Sequence, residues 1–327
     1  MKKLISLSLM LTMIVLSSCN TPAHNEKTRK FALTYNTTVD KLPRGSKEIK
    51  LWIPVPSNNT HQNISDFSVE TSPKVDYRIT QENYYGNKML FVNINNPSEE
   101  LKVKMTMNVT RKENIPANYA STPLLSDEVT LKSNKLITID ANTIEMANKY
   151  SAGASSKDEK ATKFLEQTMK HMKYDKSGKG WGQGDFAFAC DVAVGNCTDF
   201  HAYFIGLCRA KGIPAYFEIG LPLNPTLNEG ATGGYHCWAY YKSNKDWVPV
   251  DISEAWKAKE LKKDVKLSTY FLQSHCENRV AFSIGRDIVL NPAQQGESLN
   301  YFIAPYAEVD GKKFDGISRK TTFKNLN

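Results

Sequence analysis

Cys197, His236 and Asp251 are the residues whose types and surroundings predict chemistry. A thiol, an imidazole and a carboxylate that converge can act as nucleophile, base and orienting group. Asn196 suits a helix N-cap and Gly212 suits the position just after a helix end. We therefore expect Cys197 on the first turn of a helix, where the helix dipole and unpaired N–H groups lower the pKa of a thiol.

Two aromatic-rich segments are expected to bring His236 and Asp251 together as a β-hairpin. With the loop centred between residues 243 and 244, Trp238 faces Pro249 and His236 faces Asp251. Proline has no N–H, so Pro249 fits a non-hydrogen-bonded pair or an edge strand. In that register both side chains point to one face, and a one-residue slip would separate them.

The rest of the chain predicts a class of mixed helices and antiparallel sheets (α+β). Residues 30–112 alternate apolar and polar side chains between turn residues, which is typical of a β-sandwich. Helical periodicity follows, most clearly from Asp158 to Met172. The glycine-rich segment 178–184 does not end in the Gly-Lys-Ser/Thr of a phosphate-binding loop and no strand precedes it, so it is interpreted as an access loop or a surface loop.

In combination these segments resemble the transglutaminase-like superfamily, relatives of the papain-like cysteine enzymes. The matching stretches are 195–197 before a helix, 209–215 leading into a strand, 235–238 and 247–251, while 51–56 resembles the β-sandwich that precedes this core in bacterial members. The resemblance implies a papain-like core at about 158–255, within a cysteine-enzyme domain at 113–327. It also implies that Cys197 is the nucleophile, His236 the base and then the acid, and Asp251 the orienting carboxylate.

Other residues are weaker candidates for this site. In the family an oxyanion donor lies upstream of the cysteine, which makes Trp181 and Gln183 candidates here. Trp238 and Asp185 are candidates for a substrate groove, although aromatic core packing is an equal alternative for Trp238. His201 lies one turn beyond Cys197, and we expect a solvated or locally bonded histidine there.

No cofactor or metal is expected. The cysteines and histidines match no common zinc spacing, and no EF-hand-type loop suggests calcium. Cys208 is expected in the core. An exported compartment permits one disulfide among Cys190, Cys237 and Cys276, and the sequence leaves the pairing open.

The N-terminus predicts export. Lys2 and Lys3 precede a short apolar run, which is typical of a signal peptide at residues 1–18. The ending at Cys19 resembles the bacterial lipoprotein signal, which implies a lipid on Cys19 and a tether at 19–29; a plain signal peptide is the alternative. The formal net charge is +8 without long basic runs, which argues against nucleic acid as a partner.

The predicted protein is therefore a lipid-anchored enzyme of the cell envelope that acts on an amide bond in a peptide, protein or glycopeptide. Hydrolysis and acyl transfer remain open. The alternative is a binding or assembly module that keeps the fold without turnover. The presence of all three residue types favours the enzyme.

Overall fold

The computed structural model describes residues 26–97, 100–121 and 125–326. The predicted signal peptide and Cys19 lie outside the described residues. The strands are β1 (Thr28–Val39), β2 (Glu48–Val55), β3 (Gln62–Ser72), β4 (Tyr77–Gln81), β5 (Lys88–Asn95), β6 (Leu101–Lys112), β7 (Lys173–Tyr174), β8 (Val194–Gly195), β9 (Ala215–Pro222), β10 (Glu229–Ala231), β11 (His236–Lys242), β12 (Trp247–Val250), β13 (Arg279–Ile284), β14 (Tyr306–Val309), β15 (Lys312–Lys313) and β16 (Ile317–Asn325). The helices are α1 (Asp127–Leu131), α2 (Ala141–Tyr150), α3 (Lys157–His171), α4 (Phe186–Val192), α5 (Cys197–Ala210), α6 (Ile252–Glu260) and α7 (Val265–Phe271).

Two five-stranded sheets form the β-sandwich, in the orders β10-β16-β1-β6-β3 and β15-β14-β2-β5-β4. The predicted alternation explains the pairing, because every second residue of β1 and β6 is buried. Leu33 of β1 and Leu51 of β2 lie in one continuous apolar core. The outer face of β2 is covered too, since Trp52 packs with Phe302.

The papain-like core consists of α5 packed against the antiparallel sheet β12-β11-β9-β13. All residues of α5 from Cys197 to Arg209 are buried, because α2, α3, α4 and α6 surround the helix on its other sides. The helix ends as expected, with Gly212 at φ +66° donating its N–H to the carbonyl of Arg209. The predicted α+β class, with a helix on an antiparallel sheet, is confirmed.

The C-terminal strands are distributed differently from the expected division at residues 112 and 113. β13 completes the core sheet, but β16 pairs with β1 and β14 pairs with β2. A strand inside a sheet pairs its backbone N–H and C=O groups on both flanks, and these late strands are the second partners of β1 and β2. The sandwich also contacts the core sheet directly, because the Gln62 amide donates to the Ala281 carbonyl and accepts from the Ala281 N–H.

No helix in the described part of the chain has both the length and the apolar character that a membrane span requires.

Candidate active site

Cys197 is the first residue of α5, as its neighbours predict. The Asn196 side chain accepts from the Thr198 N–H at 2.8 Å, and Asp199 accepts from the Asn196 N–H at 2.9 Å, which closes a reciprocal cap. The thiol is 3% exposed. It therefore lies at the positive end of the helix dipole, beside N–H groups without intrahelical partners.

The chain reaches Cys197 through a short parallel bridge. β8 pairs with β7, which places Tyr174 opposite Gly195. A side chain at Gly195 would collide with Asp199, because a Cβ there would lie 2.2 Å from Oδ2. The close approach of the Asp199 carboxylate thus requires glycine at this position and fixes the turn that carries the thiol.

His236 begins β11, and Asp251 is the N-cap of α6, directly after β12. His236 Nε2 lies 2.7 Å from Asp251 Oδ2, and both side chains are buried. Since Nε2 is engaged by the carboxylate, Nδ1 is the nitrogen left for the thiol. The structure therefore brings the three predicted side chains together.

The predicted hairpin register is wrong by two residues. Tyr240, not Trp238, faces Pro249, because the turn closes from Ser243 N–H to Asp246 carbonyl. A shift of two residues keeps every side chain on its face, so His236 still points to the correct side. Its partner Asp251 lies at the N-cap of α6, not at the strand position directly opposite His236. Pro249 lies on the edge strand β12, as expected.

The electrostatics of the site favour a thiolate–imidazolium pair. The Cys237 thiol, which hydrogen-bonds to Cys197, lowers the pKa of Cys197 well below its usual range, and His236 adds to this against the effect of burial. Burial opposes the charged imidazole, but Asp251 and Cys197 outweigh it and raise the pKa of His236 to about 10. Burial also disfavours the Asp251 carboxylate, and His236 and Arg279 together hold its pKa well below its usual range.

Arg279 is a neighbour of Asp251 that the sequence analysis did not identify. Its Nη2 donates to Asp251 Oδ2 at 3.1 Å, and the guanidinium lies 4.6 Å from the Trp238 ring centroid. Arg279 is in β13, 28 residues beyond the carboxylate it contacts. Only the pairing of β13 with β9 brings it to the site. No local sequence pattern links two residues that are 28 positions apart, so the sequence did not predict this contact.

Cys237 of β11 and His201 of α5 also lie beside the Cys197 thiol. Cys237 Sγ lies 3.7 Å from Thr198 Oγ1 and 3.8 Å from His201 Nδ1. Burial, followed by the neighbouring Cys197, raises the pKa of Cys237 well above its usual range, so Cys237 stays a neutral donor. His201 is locally bonded through the Cys197 carbonyl, which was one of the two expected arrangements.

The glycine-rich loop is attached to the start of α5. Asp199 accepts from the Gly182 N–H at 2.7 Å and the Gly184 N–H at 2.9 Å. Trp181 is half-buried and the Gln183 side chain is exposed, while the Gln183 carbonyl accepts from Arg286 at 2.7 Å. The loop thus lies beside the thiol's helix, and an oxyanion role for either side chain stays a prediction.

A cleft of about 560 Å³ opens at His236. Its walls include aromatic, apolar and basic side chains: Tyr174, Leu223, Tyr235, Lys257, Tyr270 and Phe271. Trp238 does not line a groove, since it is fully buried and donates its Nε1–H to Glu218. Asp185 serves as the N-cap of α4, accepting from the Ala187 and Phe188 N–H groups, and is not part of this cleft.

All five cysteines in the described ranges are without a disulfide: Cys190, Cys197, Cys208, Cys237 and Cys276. Cys208 is fully buried in the core, as expected. No three His, Cys, Asp or Glu side chains within residues 26–97, 100–121 and 125–326 converge as a metal site would require.

Two parts of the chain match family models of transglutaminase-like proteins. The model of the superfamily core matches residues 144–252, and the model of the bacterial transglutaminase-like N-terminal region matches residues 47–110. The first match contains Cys197, His236 and Asp251.

Two known proteins are similar to this chain over nearly its whole length. An uncharacterised protein of Haemophilus influenzae (strain KW20 / Rd) is 28% identical over 369 aligned residues, which cover 98% of this chain and 100% of the relative. A crystal structure of a proposed cysteine protease from Cytophaga hutchinsonii has a TM-score of 0.60 at 16% identity and covers 92% of each chain. At that identity the likeness shows the shared fold.

Proposed function

We propose that this protein is a cysteine enzyme that cleaves or transfers amide bonds through Cys197, His236 and Asp251. One observation carries the proposal. His236 is held by Asp251 at 2.7 Å through Nε2, while its hydrogen bond to Cys197 stabilises the thiolate. A buried thiol at a helix start that is paired with an imidazolium is an activated nucleophile.

In the acylation step, the Cys197 thiolate attacks the amide carbonyl carbon and forms the C–S bond. The carbonyl oxygen then carries the negative charge, which the Cys197 backbone N–H stabilises. When the C–N bond breaks, the His236 imidazolium gives its proton to the leaving amine. In the second step water or an amine attacks the thioester, His236 takes the proton, and the thiolate leaves.

The side chains that line the cleft support the proposal that the substrate is a peptide, protein or glycopeptide. Tyr174 and Tyr235 line the cleft together with His236, and the two rings offer flat apolar surface with polar edges. Lys257 lies 4.1 Å from the Tyr174 ring centroid and pairs with Glu254. The cleft also carries charged side chains of both signs, among them Lys257, Glu254 and Glu277, so it suits an amide-containing chain that has polar as well as apolar groups.

The experiment that tests this proposal incubates the purified protein with casein peptides, with and without added putrescine. We expect products with a new carboxyl group or with the mass of the added amine, and no turnover by Cys197→Ala. Cys190→Ala is the matched control, because Cys190 lies on α4 in contact with Met146 and should keep full activity. No turnover by the unaltered protein on casein or on a cell-wall glycopeptide mixture would instead support the binding module.

We also propose that the protein is exported and carries a lipid on Cys19. The basic, apolar and small residues that precede Cys19 support this, since they follow the order of a lipoprotein signal. Cells grown with labelled palmitate should yield a labelled protein, and Cys19→Ser should remove the label. An unaltered protein without label would contradict the anchor.

A further inference from the structure

His201 is buried and both of its ring nitrogens are engaged. Nδ1 lies 2.7 Å from the Cys197 carbonyl oxygen, and Nε2 lies 3.0 Å from the Ile252 backbone nitrogen. A carbonyl can only accept and an amide N–H can only donate, so the proton is on Nδ1 and the ring is neutral. Burial lowers the pKa of His201 and keeps the ring neutral, although the Asp251 carboxylate and the Cys197 thiolate act to raise that pKa.

The two groups that His201 joins belong to the residues that carry the chemistry. Cys197 is the first residue of α5, and Ile252 is the first residue of α6, directly after Asp251. The imidazole of His201 therefore spans the first turns of two helices, one with the nucleophile and one with the orienting carboxylate. His236 has to contact both side chains at once, so the spacing of those turns sets its geometry.

Other contacts hold each turn separately. Arg279 fixes the Asp251 carboxylate to β13, and Asp199 fixes the Cys197 turn to the glycine-rich loop. Among the hydrogen bonds of the described residues, the bonds of His201 join the two turns directly. The ring is fully buried and lies outside the cleft, so it does not touch substrate.

We propose that His201 is a positioning residue that sets the distance between the Cys197 turn and the Asp251 turn, so that His236 engages both. This inference rests on the proposed function, because it concerns the geometry of the same three side chains. Small errors in the placement of reacting groups reduce rates strongly, and a displacement near 1 Å can cost about 100-fold.

Two amide substitutions separate the two bonds. In His201→Asn the side-chain NH₂ replaces Nδ1 and can still donate to the Cys197 carbonyl, but nothing reaches the Ile252 N–H. In His201→Gln the side-chain oxygen replaces Nε2 and can still accept from Ile252, but the bond to Cys197 is lost. His171→Gln is the matched control, since the Nε2 of that half-buried histidine bonds to the Ala189 carbonyl away from the cleft.

The readout is the rate of Cys197 alkylation by iodoacetamide against pH, located by peptide mass spectrometry. We expect both His201 variants to raise the pH of half-maximal rate by about one unit, which slows alkylation by about tenfold at pH values below both midpoints. Turnover should fall through kcat, with KM unchanged, because the cleft walls are untouched. The control should lower thermal stability at most and leave the alkylation profile in place.

The outcomes distinguish this inference from the proposed function. Folded His201 variants with the profile and kcat of the unaltered protein would overturn the positioning role alone. A Cys197 that behaves as an ordinary thiol in the unaltered protein would overturn the proposed function instead. If neither variant folds, NMR of the ¹⁵N-labelled unaltered protein decides: a neutral Nδ1–H ring from pH 5 to 8 supports the bridge, and a titrating ring refutes it.

Discussion

His236→Gln is expected to slow alkylation of Cys197 at pH 6 by about 100-fold or more. The Cys237 thiol lowers the pKa of Cys197 most and remains in the variant, but the His236 imidazolium also favours the thiolate by hydrogen bond and charge, and glutamine keeps similar bulk without the charge. An ordinary thiol with a pKa near 8.5 is only about 0.3% ionised at pH 6, and burial disfavours the thiolate further. Amide turnover should be lost as well, because no group protonates the leaving amine.

In the unaltered protein, by contrast, alkylation of Cys197 should be fast at pH 6. Because the pKa of Cys197 lies well below its usual range, alkylation should stay fast from neutral pH down to mildly acidic pH. Turnover should fall as pH rises through about 10, where His236 loses its proton. Cys190 is an internal reference, since burial raises the pKa of its thiol to about 12. A His236→Gln protein that alkylates as fast as the unaltered one would exclude His236 as the partner of the thiol.

Asp251→Asn is expected to reduce turnover by about 10⁴-fold, the loss seen when an amide replaces the carboxylate of a catalytic triad. Both carboxylate oxygens accept hydrogen bonds: Oδ2 is bonded to His236 and Arg279, and Oδ1 accepts from Ser253 and Glu254. An asparagine NH₂ therefore meets a donor in either orientation. If it faces His236, it can bind only an unprotonated Nε2 and places the ring proton on Nδ1, the tautomer that cannot act as a base.

The same substitution should lower the free energy of unfolding by about 3–5 kcal/mol, because Arg279 becomes a buried charge without a counterion. The difference in the free energy of unfolding between this variant and the unaltered protein should become smaller at acidic pH. The folded pKa of Asp251 is depressed, so its stabilising effect is present above about pH 4 and is lost as pH falls through the folded value. Urea titrations at several pH values measure both effects.

The double variant Asp251→Asn/Arg279→Met is the matched control. It removes the unpaired guanidinium, so it should recover much of the stability but none of the turnover. Recovery of turnover in the double variant would mean that Asp251 serves only to neutralise Arg279.

The sequence predicts the identity of the site residues better than it predicts their geometry. The capping pattern around Asn196 determines where α5 begins, because N-cap preferences are local. The hairpin register depends on the turn, and the segment 243–246 lacks the Asn-Gly or Asp-Gly pair that would specify a two-residue loop. The observed register differs from the predicted one by an even number of residues, so each side chain still lies on the predicted face of the sheet.

Contacts between distant elements could not be predicted in the same way. The bond from Arg279 to Asp251 and the bond from His201 to Ile252 depend on how β13 and α6 pack, and neither leaves a periodic pattern. The strands β3 and β4 were also not identified, because a bulge between Ser65 and Ser68 breaks the alternation of β3, and the five residues of β4 include no buried side chain.

The late pairing of β16 with β1 has a consequence for biogenesis. Phe31 pairs with Asn325 at one end and Val39 with Ile317 at the other, so the flank of β1 opposite β6 receives its neighbour almost 300 positions later. A nascent polypeptide therefore carries an open strand edge while residues 113–316 are still being synthesised. Chains that terminate prematurely keep that edge and are prone to aggregate through it.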